Sequence, residues 1–103
     1  MKYILTIGLV ILSMQASADY YDGNGLLNLA NAESVSGQLM YRGYVAGVQD
    51  SFNGKNFCVP KNVRLNQSAE IVLNYIQADP KRWHLAGKNL VIYALIDAFP
   101  CKE

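Results

Sequence analysis

The chain has 103 residues, 51% hydrophobic and 17% charged, with a formal net charge of +1. A chain of this size builds one small domain. Its near-neutral charge, with no block of like sign, argues against nucleic acid and against a basic membrane-surface helix, both of which need clustered positive charge.

The first element reads as a leader. Met1-Lys2-Tyr3 is a short positive start, Ile4 to Met14 is almost wholly apolar, and Ala16-Ser17-Ala18 is an A-x-A site. Together these features describe a secretory signal peptide over residues 1–18, cut after Ala18. The apolar run is too short for the roughly 20 residues of a spanning helix. The expected domain is residues 19–103, with no membrane attachment once the leader is gone. It loses Lys2 and is then electrically neutral.

Asp19 to Gly25 is polar, carries two glycines and reads as a mobile lead-in. Leu26, Leu27, Leu29 and Ala30 suggest a short helix. The clearest helix of the first half spans about Ser34 to Asn53. Met40, Tyr44, Gly47, Val48, Ser51 and Phe52 recur there at three- and four-residue steps and are expected to share a face. Gly43, Ala46 and Gly47 lie in the same segment. Glycine costs about 1 kcal/mol in a helix interior, so these small residues suggest close approach by another helix. Gly54 suits a left-handed end to this helix.

Residues 55–63 form a connection, with Pro60 biasing Val59 toward extended backbone. A further helix is expected from about Asn66 to Ala78. Leu65, Ala69, Val72, Leu73 and Ile76 form its stripe, Asn66 is its expected N-cap, and Asp79-Pro80 is its stop. The last helix, about Ala86 to Phe99, is apolar on nearly every side from Leu90 onward, except at Asp97. Such a helix needs cover all round, and a second copy of the chain would supply what a small monomer lacks. No stretch alternates with period two. The expected fold is all-α, a small bundle of about four helices.

Cys58 and Cys101 are the only cysteines. An exported chain meets an oxidising compartment, where an even count points to a disulfide. The chain-entropy model gives about 4 kcal/mol for a loop of that length. Two Cys and the single His84 are too few for an ordinary zinc site, so no metal or cofactor is expected. Converging catalytic groups are equally hard to find. The serines lack an elbow motif, a bridged cysteine is no nucleophile, and Gly23-Asn24-Gly25 lacks the lysine of a phosphate loop. No catalytic residue is assigned.

The corner between the last two helices is the candidate partner site. It comprises Asp79, Lys81, Arg82, Trp83 and His84, and Arg and Trp are residue types enriched at interface hot spots. The plainer role for Trp83 is to close over the core, with its neighbours solvated.

Three segments occur in order: Gly43-Tyr44-Val45-Ala46-Gly47-Val48-Gln49-Asp50, Phe57-Cys58-Val59-Pro60, and Ala98-Phe99-Pro100-Cys101 after a helix ending at Asp79-Pro80. The joint pattern, over about Ser36 to Cys101, resembles the Rap/Tai family of immunity proteins associated with type VI secretion. The resemblance implies a helical periplasmic protein, often a homodimer, without catalytic activity. Such a protein binds a peptidoglycan amidase effector delivered by sister cells and occludes its active-site cleft, in some members with an exposed loop. Cys58 and Cys101 match the family's paired cysteines. Relatives often cap the third helix with Thr and Gln; here Arg64 stands in place of Thr while Gln67 remains. The competing reading is a periplasmic acid-stress chaperone, another small helical protein with one disulfide.

Overall fold

Asp22 opens the first helix by a local hydrogen bond. Its carboxylate oxygen accepts from the Gly25 N–H at 2.8 Å, satisfying one of the donors a helix start leaves free. The structure, a computed structural model, describes residues 20–102. The leader, residues 1–18, lies outside them. Within the described residues the order is α1 (Gly23–Ala30), α2 (Val35–Phe52), α3 (Leu65–Ala78), a 3₁₀ turn (Pro80–Arg82) and α4 (Gly87–Ala98), with no strand. The all-α expectation holds, and the disulfide joins Cys58 to Cys101 with their Cα atoms 4.9 Å apart.

The lead-in differs from expectation. Gly23 and Gly25 belong to the first turn of α1, and Asp22 pairs in antiparallel fashion with Ala86. The Gly23 N–H donates to the Leu85 carbonyl at 3.1 Å and the Gly87 N–H to the Tyr21 carbonyl at 2.7 Å. The segment is therefore a strap tied to the start of α4. Glycine is needed where the backbones meet: a Cβ at Gly23 would stand 2.8 Å from the Trp83 main chain, and one at Gly87 2.8 Å from the Tyr21 carbonyl.

Ser34 caps α2, accepting from the Gly37 N–H at 3.2 Å. The helix buries Gly37, Tyr41, Val45 and Val48. The predicted face was turned by about one residue, or 100°: Val48 is buried as expected and Tyr44 and Phe52 are half-buried, whereas Met40, Gly47 and Ser51 are exposed. Both faces carry small and apolar residues, so local spacing discriminates weakly. Tyr41 decides the orientation by reaching α3, where its hydroxyl donates to the Ala69 carbonyl at 2.6 Å. Among the described residues no helix packs against Gly43 and Gly47 as expected, since a Cβ at either position would meet nothing within 4 Å.

Beyond α2, Gly54 takes φ +89° as its position suggested, and Phe57 turns fully into the core. The Cys58 N–H donates to the Phe99 carbonyl at 2.9 Å, so the disulfide and a backbone bond tie this connection to the tail after α4.

α3 begins at Leu65, with Arg64 rather than Asn66 as N-cap. Arginine has no acceptor to offer the helix. Instead the Arg64 N–H donates to the Gln67 side-chain oxygen at 2.7 Å, the half of a capping box that depends on the retained Gln. Ala69, Val72 and Ile76 are buried as the stripe predicts, together with Ser68, while Leu65 is exposed.

α4 buries Leu90, Val91, Ile92, Ala94 and Leu95. It packs against α1, α2 and α3, so three helices of its own chain supply most of the cover that a second copy had been invoked to provide. Tyr93 and Ile96 remain exposed.

Candidate partner-binding corner

The corner starts where α3 ends. Pro80 disfavours helical backbone at Asp79, which sits at φ −140°, ψ 97°. The Asp79 carboxylate accepts from the Lys81 N–H at 3.1 Å, opening the 3₁₀ turn. Backbone bonds from Arg82 to Asp79, Trp83 to Pro80 and Leu85 to Arg82 carry the chain round.

Two predicted site residues face inward onto the end of α3. The Trp83 indole N–H donates to the Ile76 carbonyl at 2.7 Å. Arg82 lays its guanidinium 4.3 Å from the Tyr75 ring centroid and donates to the Tyr75 carbonyl at 3.4 Å. Its Nε lies 3.6 Å from the Asp79 carboxylate. Tyr75 and Ile76 lie in the last turn of α3, where carbonyls outnumber helical donors, so these side chains help complete the helix end. Trp83 also packs against the core, as its plainer role had it, but its neighbour Arg82 is not left to solvent.

Lys81 and His84, in contrast, are exposed. The five predicted residues do form one continuous corner, divided between an inner pair that fixes it and an outer pair that faces solvent, with Asp79 bonding across the turn.

Sequence reasoning missed the strap's share of this site. The Asn24 backbone and side-chain amides both donate to the Trp83 carbonyl, at 3.0 and 3.1 Å. Tyr20, Tyr21 and Asp22 line a cleft with His84 and Ala86. Tyr20 is 91% exposed, the most exposed large hydrophobic side chain described. No local pattern links residues so far apart, although the adjacent tyrosines Tyr20 and Tyr21 are themselves plain in the sequence. Among the described residues, no three His, Cys, Asp or Glu side chains gather as metal ligands. No described helix is long and apolar enough to cross a membrane.

The corner is held in shape by hydrogen bonds that involve Asp79, Arg82, Trp83 and Asn24. No curated protein matches the sequence. The family model of the Rap1a immunity proteins matches residues 22–101, from the cap of α1 to the second half-cystine. The match takes in all four helices, the corner and the disulfide, and the chain belongs to the Rap1a immunity protein family.

Proposed function

We propose that this protein is an exported, periplasmic immunity protein of type VI secretion, working as a homodimer that binds a peptidoglycan amidase effector and covers its active-site cleft. The family match over residues 22–101 carries the reading. The corner supplies the contact: Lys81 and His84 meet the effector, while Arg82, Trp83 and Asp79 hold the turn in shape. A surface already fixed before binding avoids the ordering cost that weakens flexible binders. In this reading the hydrolytic chemistry belongs to the effector, and the immunity protein contributes neither nucleophile nor cofactor.

The test is inhibition by the mature chain of an amidase encoded beside it. Peptidoglycan cleavage should stop near one immunity chain per enzyme, and titration calorimetry should give a matching stoichiometry. Undiminished cleavage at several-fold excess of the mature chain would reject the proposal.

A further inference from the structure

The Cys58–Cys101 bridge lies at the surface. Both half-cystines are exposed, as are Pro60 and Pro100 beside them. The two segments it joins also meet without it. Phe57 is fully buried, Phe99 packs against the core, and the Cys58 N–H donates to the Phe99 carbonyl at 2.9 Å. Cutting the sulfur bond leaves these ties in place. A disulfide sealed in a core is reached only after unfolding. One at the surface meets an attacking thiolate in the folded protein, and access is among the quantities that set the rate of exchange.

The surroundings of the bridge determine what attacks it. The two cysteines line a shallow, mainly apolar depression with Pro60, Ala98, Phe99, Pro100 and Lys102. A small thiol makes no use of such a surface, whereas a protein that presents its thiol within an apolar rim does. The attacking group is a thiolate, and the Lys102 ammonium complements its charge. Lys102 also follows Cys101 directly, and a cation beside a sulfur favours its thiolate. The sulfur of lower pKa leaves faster, so Cys58 takes the attack and Cys101 leaves.

We propose that Cys58–Cys101 is a thiol-exchange site, at which a dithiol protein of the thioredoxin type docks on the apolar depression and reduces the bridge while the domain stays folded. The partner's first thiolate bonds to Cys58 Sγ, and the Cys58–Cys101 bond breaks with its electron pair on Cys101 Sγ. The partner's second thiolate then attacks its own mixed-disulfide sulfur and releases Cys58. The partner ends as a disulfide, oxidised by two electrons. The two protons its thiols shed are matched by the two that Cys58 and Cys101 take up. The site is independent of the corner and of any amidase.

Reduction of the mature, oxidised chain tests it, with dithiothreitol and reduced thioredoxin as probes. In buffer, dithiothreitol should cut the bridge within about tenfold of its rate on the urea-unfolded chain, and helical circular dichroism should remain afterwards. Reduction that waits for unfolding would be slower by about a thousandfold or more. Ala98→Gln sends a polar side chain into the depression from an exposed position. It should lower the thioredoxin rate at least about fivefold, a change of roughly 1 kcal/mol, and leave the dithiothreitol rate unchanged. Thioredoxin with its second active-site cysteine replaced by serine, quenched with N-ethylmaleimide, should be found on Cys58 with the alkyl group on Cys101. Unfolding-gated reduction, loss of the helical signal on reduction, an unaltered thioredoxin rate in Ala98→Gln, or capture on Cys101 each overturns the proposal.

Discussion

Trp83 hangs from Ile76. The indole N–H of one meets the carbonyl oxygen of the other at 2.7 Å, joining the corner to the last turn of the helix before it. The Asp79 N–H also donates to that carbonyl, at 3.3 Å. The side chain with the strongest composition signal for partner binding is thus the one that holds the corner's shape.

Trp83→Phe should therefore act on stability. It keeps an aromatic ring but loses the donor, while Ile76 retains the Asp79 N–H. The expected cost is about 1 kcal/mol, a fall of roughly 4–8 °C in Tm for a domain of this size. Thermal melts followed by circular dichroism read it. An unchanged Tm would show that the bond adds nothing.

Lys81→Ala and His84→Ala should behave oppositely. Both side chains are exposed, so each variant should keep its stability within about 0.5 kcal/mol. Affinity for the proposed amidase partner should fall at least about tenfold in the double variant, near 1.4 kcal/mol. Equal calorimetric affinities for wild type and double variant would remove these side chains from the interface.

Replacing both cysteines by serine leaves the 55–63 connection tied to the tail by the Cys58–Phe99 backbone bond without its covalent bridge. The bridge joins positions 43 apart, and the chain-entropy argument assigns about 4 kcal/mol to it. The urea midpoint should drop accordingly, and reductant should lower the wild-type midpoint to the same value. Insensitivity to reductant would contradict a stabilising role.

Tyr41 gives the fold an alkaline limit. Burial first, and the nearby Glu70 charge second, push its pKa well up. In the unfolded chain the phenol ionises near pH 10. The folded state holds the proton more tightly, so this contribution is complete below about pH 10 and is lost as pH rises toward the folded pKa. Tyr41→Phe removes the hydrogen bond to Ala69 and should cost about 1 kcal/mol at pH 8. The gap between the two proteins should narrow above pH 10. A constant gap from pH 8 to pH 11 would refute the linkage.

What the sequence reveals here follows the range of the interaction involved. The stripe of α3 apart from Leu65, the end of α2 at Gly54 and the stop at Asp79-Pro80 are set by near neighbours, and they are found as read. The burial of α2 was misread because Met40 and Tyr41 offer similar faces, and a hydroxyl 28 positions from its acceptor makes the choice. The cap of α3 was misplaced for a related reason. Asn66 is the better capping type, yet Gln67 reaches back to Arg64 and starts the helix two residues earlier. At the corner, the candidate residues were legible as a group. Their division into inward and outward pairs was not, because it depends on carbonyls at the end of another element and on a strap drawn from the opposite end of the domain.

That strap has a consequence for how the molecule comes together. The first helix is among the earliest parts of the domain to be synthesised, yet Asn24 finds its acceptor 59 positions later. The first helix can pack against the second as soon as that is made, but the bonds that tie Gly23 and Asn24 to Leu85 and Trp83 await the later part of the domain. The strap's ties are thus fastened only when the third helix has turned into the fourth.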